Sequence, residues 1–276
     1  MKDVFKLAIC QMKVTDDKDI NLSKAAEMLQ EAYKNGSDIA VLPEMFNCPY
    51  ANNKFWEYGE SIKDGRTVKT IARLAEQLEM YIVAGSLPEI CGDKIYNTSL
   101  VFDRRGDIIG KHRKMHLFDI DIPGKVFFKE SDTLAPGSSV TVVDTEFCRI
   151  GIAICYDMRF PELARLMTLD GAKLVIVPAA FNMTTGPAHW ELLVRTRALD
   201  NQVYFAAASP ARDREASYVA YGHSMVASPW GDVISDAGED EKVIFANIDL
   251  REVERVRNEL PLLKHMRTDR YSTAKK

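Results

Sequence analysis

The run Ile150-Gly-Ile-Ala-Ile-Cys155 is apolar at nearly every position, as strands buried on both faces tend to be. Similar runs predict strands over Phe5–Gln11, Ile39–Leu42, Tyr81–Gly85, Thr98–Asp103, Thr141–Asp144, Leu174–Val177, Val203–Ala208, Gly222–Ser228 and Val243–Ile248. They are rich in Val, Ile, Leu and Ala, and most are bounded by Gly, Pro, Asp or Asn. Helical spacing of apolar residues falls between them, over Leu22–Asn35, Val68–Glu79, Pro161–Leu169, His189–Gln202 and Leu250–Leu260. Asn35-Gly36 supplies a stop, Pro161 suits a first helical position, and Pro261 ends the last helix. Strand–helix–strand alternation of this kind implies βαβ units and a layered α/β domain.

The two halves of the chain echo each other. Ala8-Ile9-Cys10-Gln11, a helix and Val41-Leu42-Pro43-Glu44-Met45-Phe46-Asn47 open the first; Ala153-Ile154-Cys155-Tyr156, a helix and Ile176-Val177-Pro178-Ala179-Ala180-Phe181-Asn182 open the second. The pattern predicts one domain over residues 1–276, made of two packed sheets with helices outside and no linker. The tail Ser272–Lys276 is expected to be loose.

Composition excludes several classes. With 46% hydrophobic and 28% charged residues the chain reads as globular, and a net charge of −4 argues against nucleic-acid binding by phosphate neutralisation. The five cysteines are odd in number, widely spaced and without a C-x-x-C pair, so a reducing compartment is expected rather than a disulfide framework. No apolar run approaches the ~18 residues of a membrane span, and the N-terminus lacks the apolar core of a signal peptide. The expected location is the cytoplasm.

Three residues stand near the ends of buried strands, where α/β sheets present functional groups. Glu44 follows Val41-Leu42-Pro43, Lys114 follows the Ile108–Lys111 segment, and Cys155 ends its strand. Taken singly, each has a plain structural use: a turn or cap carboxylate, a solvated lysine, a small apolar filler. Together they offer a thiol nucleophile, a carboxylate to take its proton and a cation to stabilise negative charge. His112 and His116, four apart, form a poor cation site among Lys111, Arg113 and Lys114, and no metal or cofactor is expected.

Leu-Pro-Glu44-Met-Phe, Arg113-Lys114-Met-His-Leu-Phe and Ile-Cys155-Tyr-Asp-Met-Arg-Phe-Pro-Glu together resemble the nitrilase superfamily of carbon–nitrogen hydrolases. The resemblance extends from about Lys6 to about Arg270. It implies a four-layer α-β-β-α sandwich that pairs through helices into an eight-layer dimer, with the segment from about residue 250 reaching toward the partner. It also implies a catalytic Glu44, Lys114 and Cys155. Glu130, in Asp121-Ile-Pro-Gly-Lys-Val-Phe-Phe-Lys-Glu130-Ser131, resembles the family's second glutamate and would position either Lys114 or the substrate amide.

Within that family, Phe46–Tyr50, Phe181–Glu191 and Ala208–Arg212 look most like the omega-amidase branch, which hydrolyses 2-oxoglutaramate and 2-oxosuccinamate. The branch acting on deaminated glutathione shares the motifs around Cys155 and His189, but Phe46–Tyr50 does not look like it. Nitrilases and N-carbamoyl amine hydrolases are more distant alternatives. A non-catalytic scaffold with a decayed site is a different class, opposed by the retention of Glu44, Lys114, Cys155 and Glu130. For a substrate with a free carboxylate, Arg159 offers a bidentate fork, Tyr50 a hydroxyl, and Thr184 and Thr185 small donors. Arg159 could equally pair with Glu162 or Asp157. Tyr156, whose N–H follows the nucleophile, and Phe181 complete the candidate pocket.

Overall fold

The computed structural model describes residues 2–274; Lys275 and Lys276, part of the tail expected to be loose, lie outside the described residues. The first five strands are β1 (Val4–Gln11), β2 (Ile39–Val41), β3 (Tyr81–Cys91), β4 (Lys94–Phe102) and β5 (Ile108–Arg113). A hairpin of β6 (Asp119–Ile122) and β7 (Val126–Lys129) stands apart. The second sheet takes β8 (Thr141–Asp144), β9 (Arg149–Ile152), β10 (Ala172–Pro178), β11 (Tyr204–Ala208), β12 (Met225–Ala227) and β13 (Val233–Asp236). β14 (Lys242–Asp249) then returns to the first sheet beside β1.

The strand orders are β14-β1-β2-β3-β4-β5 and β13-β12-β11-β10-β9-β8. In each sheet three central strands run parallel, β1-β2-β3 in one and β9-β10-β11 in the other, flanked by antiparallel neighbours. The sequence echo is therefore a real correspondence of position. Ile9 pairs with Val41 in one sheet as Ile152 pairs with Ile176 in the other, just before the two prolines.

Alternation along the strands sorts the side chains into layers. Leu7, Ile9, Ile39, Val41 and Val83 face Ile150, Ile152, Leu174 and Ile176 between the sheets. The opposite faces pack on helices. Ala8, Cys10, Ala40 and Ile82 meet α1 (Lys18–Lys34) and a later helix (Arg66–Gln77), while Val175, Val177, Phe205 and Ala207 meet helices at Pro161–Leu169 and Gly186–Asn201. The architecture is the expected four-layer α-β-β-α sandwich.

Several boundaries differ from the sequence reading, for local reasons. A short helix, α2 (Asn52–Tyr58), fills a stretch with no capping side chain to announce it. With α3 (Arg66–Gln77), α4 (Pro161–Leu169) and α5 (Gly186–Asn201) the set continues in chain order, and α5 begins before His189 because Pro187 fits its first turn. α6 (Leu250–Glu259) sends Leu250 and Val253 into the core between the sheets of its own chain. The largest difference is at β9. It ends at Ile152, and Cys155 opens a 3₁₀ turn that continues to Arg159, so the strand expected through Cys155 is cut short. The apolar run conceals this break because Ala153 and Ile154 stay buried after leaving the ladder.

Candidate active site

Glu44 rides on a tight turn after β2. Met45 adopts φ 51°, and Ser86 holds the turn: its hydroxyl accepts from Met45 N–H at 3.0 Å, and its carbonyl accepts from Phe46 N–H at 3.2 Å. The turn crosses β3 at Gly85, where a Cβ would run into the Pro43 carbonyl, so only glycine fits there. Cys155 occupies a matching left-handed turn, φ 46°, at a backbone cost of about 1–2 kcal/mol for a side-chain-bearing residue. Lys114 follows β5; its N–H donates to the Asn97 carbonyl at 2.8 Å and its carbonyl accepts from Gly137 N–H at 2.7 Å.

These three side chains and Glu130 converge with almost no solvent exposure. Lys114 Nζ donates to Glu44 Oε1 at 3.1 Å and to Glu130 Oε1 at 2.8 Å, and it lies 2.8 Å from Glu130 Oε2. Glu130, on the 3₁₀ turn after β7, also accepts from the Tyr50 hydroxyl at 2.5 Å and from Phe118 N–H at 2.6 Å. Its oxygens are thus taken up by Lys114, Tyr50 and the Phe118 backbone. Glu44 Oε1 accepts from Asn97 Nδ2 at 2.8 Å, whereas Oε2 is buried with no formed hydrogen bond. Glu44 and the Ala180 backbone lie close enough to Cys155 to shift its thiol, Glu44 upward and Ala180 downward.

Two carboxylates and one ammonium in a buried cluster set the electrostatics. Burial pushes the Glu44 carboxyl up; Lys114 opposes the rise and Glu130 adds to it. Burial also pushes the Cys155 thiol well above its ordinary range, ionised Glu44 pushes it further, and Lys114 pulls it back. Burial alone would lower Lys114, but Glu130 and Glu44 outweigh it and keep the ammonium charged. The balance of these shifts favours the neutral thiol over a preformed thiolate.

The remaining sequence candidates fall into two groups. Tyr50 belongs to the buried cluster, its hydroxyl engaged by Glu130 and 3.3 Å from Lys114 Nζ. Thr185 donates its hydroxyl to Asn182 Oδ1 at 3.1 Å and shapes the turn into α5. Thr184 lines a cavity of about 640 Å³ with Tyr50, Phe128, Asn182 and Arg212, and a cavity of about 430 Å³ reaches Glu44, Tyr50 and Ala180. Tyr218 borders both; its hydroxyl donates to the Ala180 carbonyl at 2.5 Å and its ring lies 4.7 Å from that of Tyr50.

Arg159 pairs with neither Asp157 nor Glu162. Its guanidinium lies 4.7 Å over the Phe181 ring and 5.7 Å from that of Tyr156, Nη1 meets His189 Nδ1 at 3.2 Å, and Nε is buried without a partner. Sequence reasoning missed Asn97 and Tyr218 as neighbours of the site, whereas His189, read as core or pocket wall, meets Arg159. Asn97 falls one residue before the strand expected at Thr98–Asp103 and lies inside β4 (Lys94–Phe102); Tyr218 sits in a polar loop with no signal.

Fold and cluster together define the class: the chain belongs to the carbon–nitrogen hydrolase family, whose profile matches residues 6–258. Among individual relatives, omega-amidase NIT2 of Bos taurus is 49% identical over 272 residues, covering 99% of this chain and 98% of that one. Omega-amidase NIT2 of Danio rerio is 51% identical over 268 residues, covering 97% and 96%. The crystal structure of Saccharomyces cerevisiae Nit3, a member of branch 10 of the nitrilase superfamily, superposes with a TM-score of 0.89 at 42% identity, covering 97% of this chain and 99% of that one.

Proposed function

We propose that this protein is an omega-amidase, hydrolysing the terminal amide of small 2-oxo dicarboxylic monoamides such as 2-oxoglutaramate and 2-oxosuccinamate. Cys155 is the nucleophile. As its sulfur attacks the amide carbon, Glu44 takes the thiol proton, and the raised affinity of the buried carboxyl suits it to hold and return a proton. The oxyanion meets the Lys114 ammonium and the backbone N–H of Tyr156. Glu44 then protonates the departing nitrogen, ammonia leaves, and a thioester remains. Water, activated by Glu44, releases the oxo acid and restores the thiol. Glu130 holds Lys114 rather than the substrate, since its oxygens already have partners.

The observation that carries the substrate class is Arg159. A half-buried guanidinium near Cys155, stacked on Phe181 and lacking any carboxylate among the described residues, suits a substrate carboxylate held away from the reacting amide. The full-length likeness to proteins named omega-amidase points the same way. Phe46 and Cys48 pack in apolar clusters, so Tyr50 is the member of the Phe46–Tyr50 segment that reaches the charged cluster. The chain pairs with a second copy through outer helices; exposed Leu192, Leu199 and Trp230 bordering one groove support this. All five cysteines are free and no described helix is long and apolar enough to cross a membrane, which fits a cytoplasmic setting.

Ammonia release from 2-oxoglutaramate, deaminated glutathione, an N-carbamoyl amine and a simple nitrile tests the reading, with C155A as blank. Turnover of the oxo-amide alone, lost in C155A, is the expected result. Preference for deaminated glutathione rejects the branch, and turnover retained in C155A rejects the nucleophile.

A further inference from the structure

Asp157 touches neither the thiol nor the ammonium, yet it lies between the segments that carry them. It is buried, and each of its oxygens takes two donors. Oδ2 accepts from Ile154 N–H, directly before the nucleophile, at 3.0 Å, and from His112 Nε2 at 3.0 Å. Oδ1 accepts from His116 N–H at 2.9 Å and from His116 Nδ1 at 2.7 Å. His112 and His116 stand two residues either side of Lys114. The pair that made only a poor cation site in the sequence is a pair of donors to one carboxylate.

We propose that Asp157 is the positioning residue of this site: its carboxylate fastens the backbone leading into Cys155 to both histidines flanking Lys114, and so fixes the ammonium against the nucleophile. The bonds from Lys114 to Asn97 and Gly137 leave its other flank to be secured, and Asp157 secures it to the second sheet. Two further contacts cross the same seam. His112 Nδ1 lies 3.0 Å from Thr141 Oγ1 on β8, and the His116 ring stacks on Phe160 with centroids 3.6 Å apart. Burial alone would raise the Asp157 carboxyl, but the two histidines and Ile154 N–H hold it far below the ordinary range, so the clamp stays charged. A long lysine side chain places its Nζ only as well as its backbone is placed, and displacements of about 1 Å in a catalytic group cost about 10²-fold in rate.

The proposal rests on the roles given above to Lys114 and Cys155. D157N keeps the shape but sets an amide N–H₂ against donors it cannot accept from. It is compared with the parent, with K114M, and with D38N, which alters a carboxylate remote from the site that accepts from Lys6 N–H, Lys2 and Arg104. All carry C91S, and two quantities are read: kcat and KM on 2-oxoglutaramate, and the pH profile of Cys155 alkylation by iodoacetamide, followed by peptide mass spectrometry. Folded D157N is expected to lose about 10²-fold in kcat with KM within about threefold of the parent. Its alkylation profile moves to higher pH, in the same sense as K114M, and D38N shows neither change. A folded D157N with parental kcat, or with an alkylation profile superposing on the parent's, overturns the proposal. Should D157N fail to fold, H116A decides: a loss of about tenfold or more in kcat at unchanged KM supports the clamp, and parental kcat overturns it. If the parent does not turn over 2-oxoglutaramate, the substrate assignment falls, while the alkylation profile, which needs no substrate, still decides the clamp.

Discussion

Lys114 reaches both oxygens of Glu130 at 2.8 Å but only one oxygen of Glu44, at 3.1 Å. The lysine is thus bound more fully to Glu130 than to Glu44, the carboxylate proposed to take the thiol proton. Glu44 is left with Oε2 free of formed hydrogen bonds, the state a proton carrier requires. E130Q halves the anchor of Lys114 and removes a buried negative charge. The expected outcome is a loss of about 10²-fold in kcat with KM little changed, measured by steady-state ammonia release.

C155A leaves the carboxylates and lysine in place but removes the group proposed to form the thioester. Turnover should fall by about 10⁴-fold or more, and intact-mass spectrometry should detect an acyl adduct on the parent during turnover and none on C155A.

The raised Glu44 carboxyl has a consequence for pH. In the proposed mechanism activity requires its ionised form, so the acid limb of kcat should lie above the ordinary glutamate value of 4.5. Stability moves the other way. An acid that binds its proton more tightly folded than unfolded destabilises the fold as pH rises from its unfolded value through its folded one. E44Q lacks this loss. Its melting temperature should match or exceed the parent's near pH 7.5 although it is inactive, and the advantage should shrink as pH falls toward 4.5.

Thiol labelling should separate the five cysteines by burial. Cys91 is exposed, Cys148 is half-buried with its thiol pushed up to about 12, and Cys10 and Cys48 are buried and raised further. Because burial and Glu44 also raise the resting Cys155 thiol, exposed Cys91 competes with it. Brief iodoacetamide treatment should mark Cys91 and Cys155 and spare Cys10 and Cys48. A substrate carboxylic acid should protect Cys155 alone.

G85A puts a methyl group where the Pro43 carbonyl passes. The Glu44 turn must move, and a stability loss of about 2 kcal/mol or more is expected, with a larger proportional loss of kcat than of folded protein. Denaturant unfolding and active-site titration on the same sample would measure both.

Much of this molecule was legible because its strands are buried on both faces. Ile39–Val41, Thr141–Asp144 and Tyr204–Ala208 are apolar where the sheets require it, and the echo between Ala8–Asn47 and Ala153–Asn182 maps onto matching parallel strands. The hairpin β6-β7 was not legible, since its half-exposed alternation of Asp, Ile, Val and Lys differs little from a charged loop. Lys114 and Glu130 were visible only through family resemblance, which left open whether Glu130 holds Lys114 or the substrate amide; the contact depends on a chain reversal no local pattern encodes. Asp157 entered the sequence reading only as a carboxylate that Arg159 could pair with, because its actual four donors come from backbone and from residues distant in the chain.

The same tetrad Ala-Ile-Cys-polar occurs at Cys10 and at Cys155. At Cys10 the strand simply continues to Gln11 and the sulfur is sealed between sheet and helix; at Cys155 the backbone swings into a left-handed turn and delivers it to Glu44. The local sequence is nearly constant, and the path of the chain decides which groups surround each sulfur. The molecule therefore carries its own internal control: any reagent or oxidant that distinguishes the two sulfurs is reading backbone geometry, not cysteine.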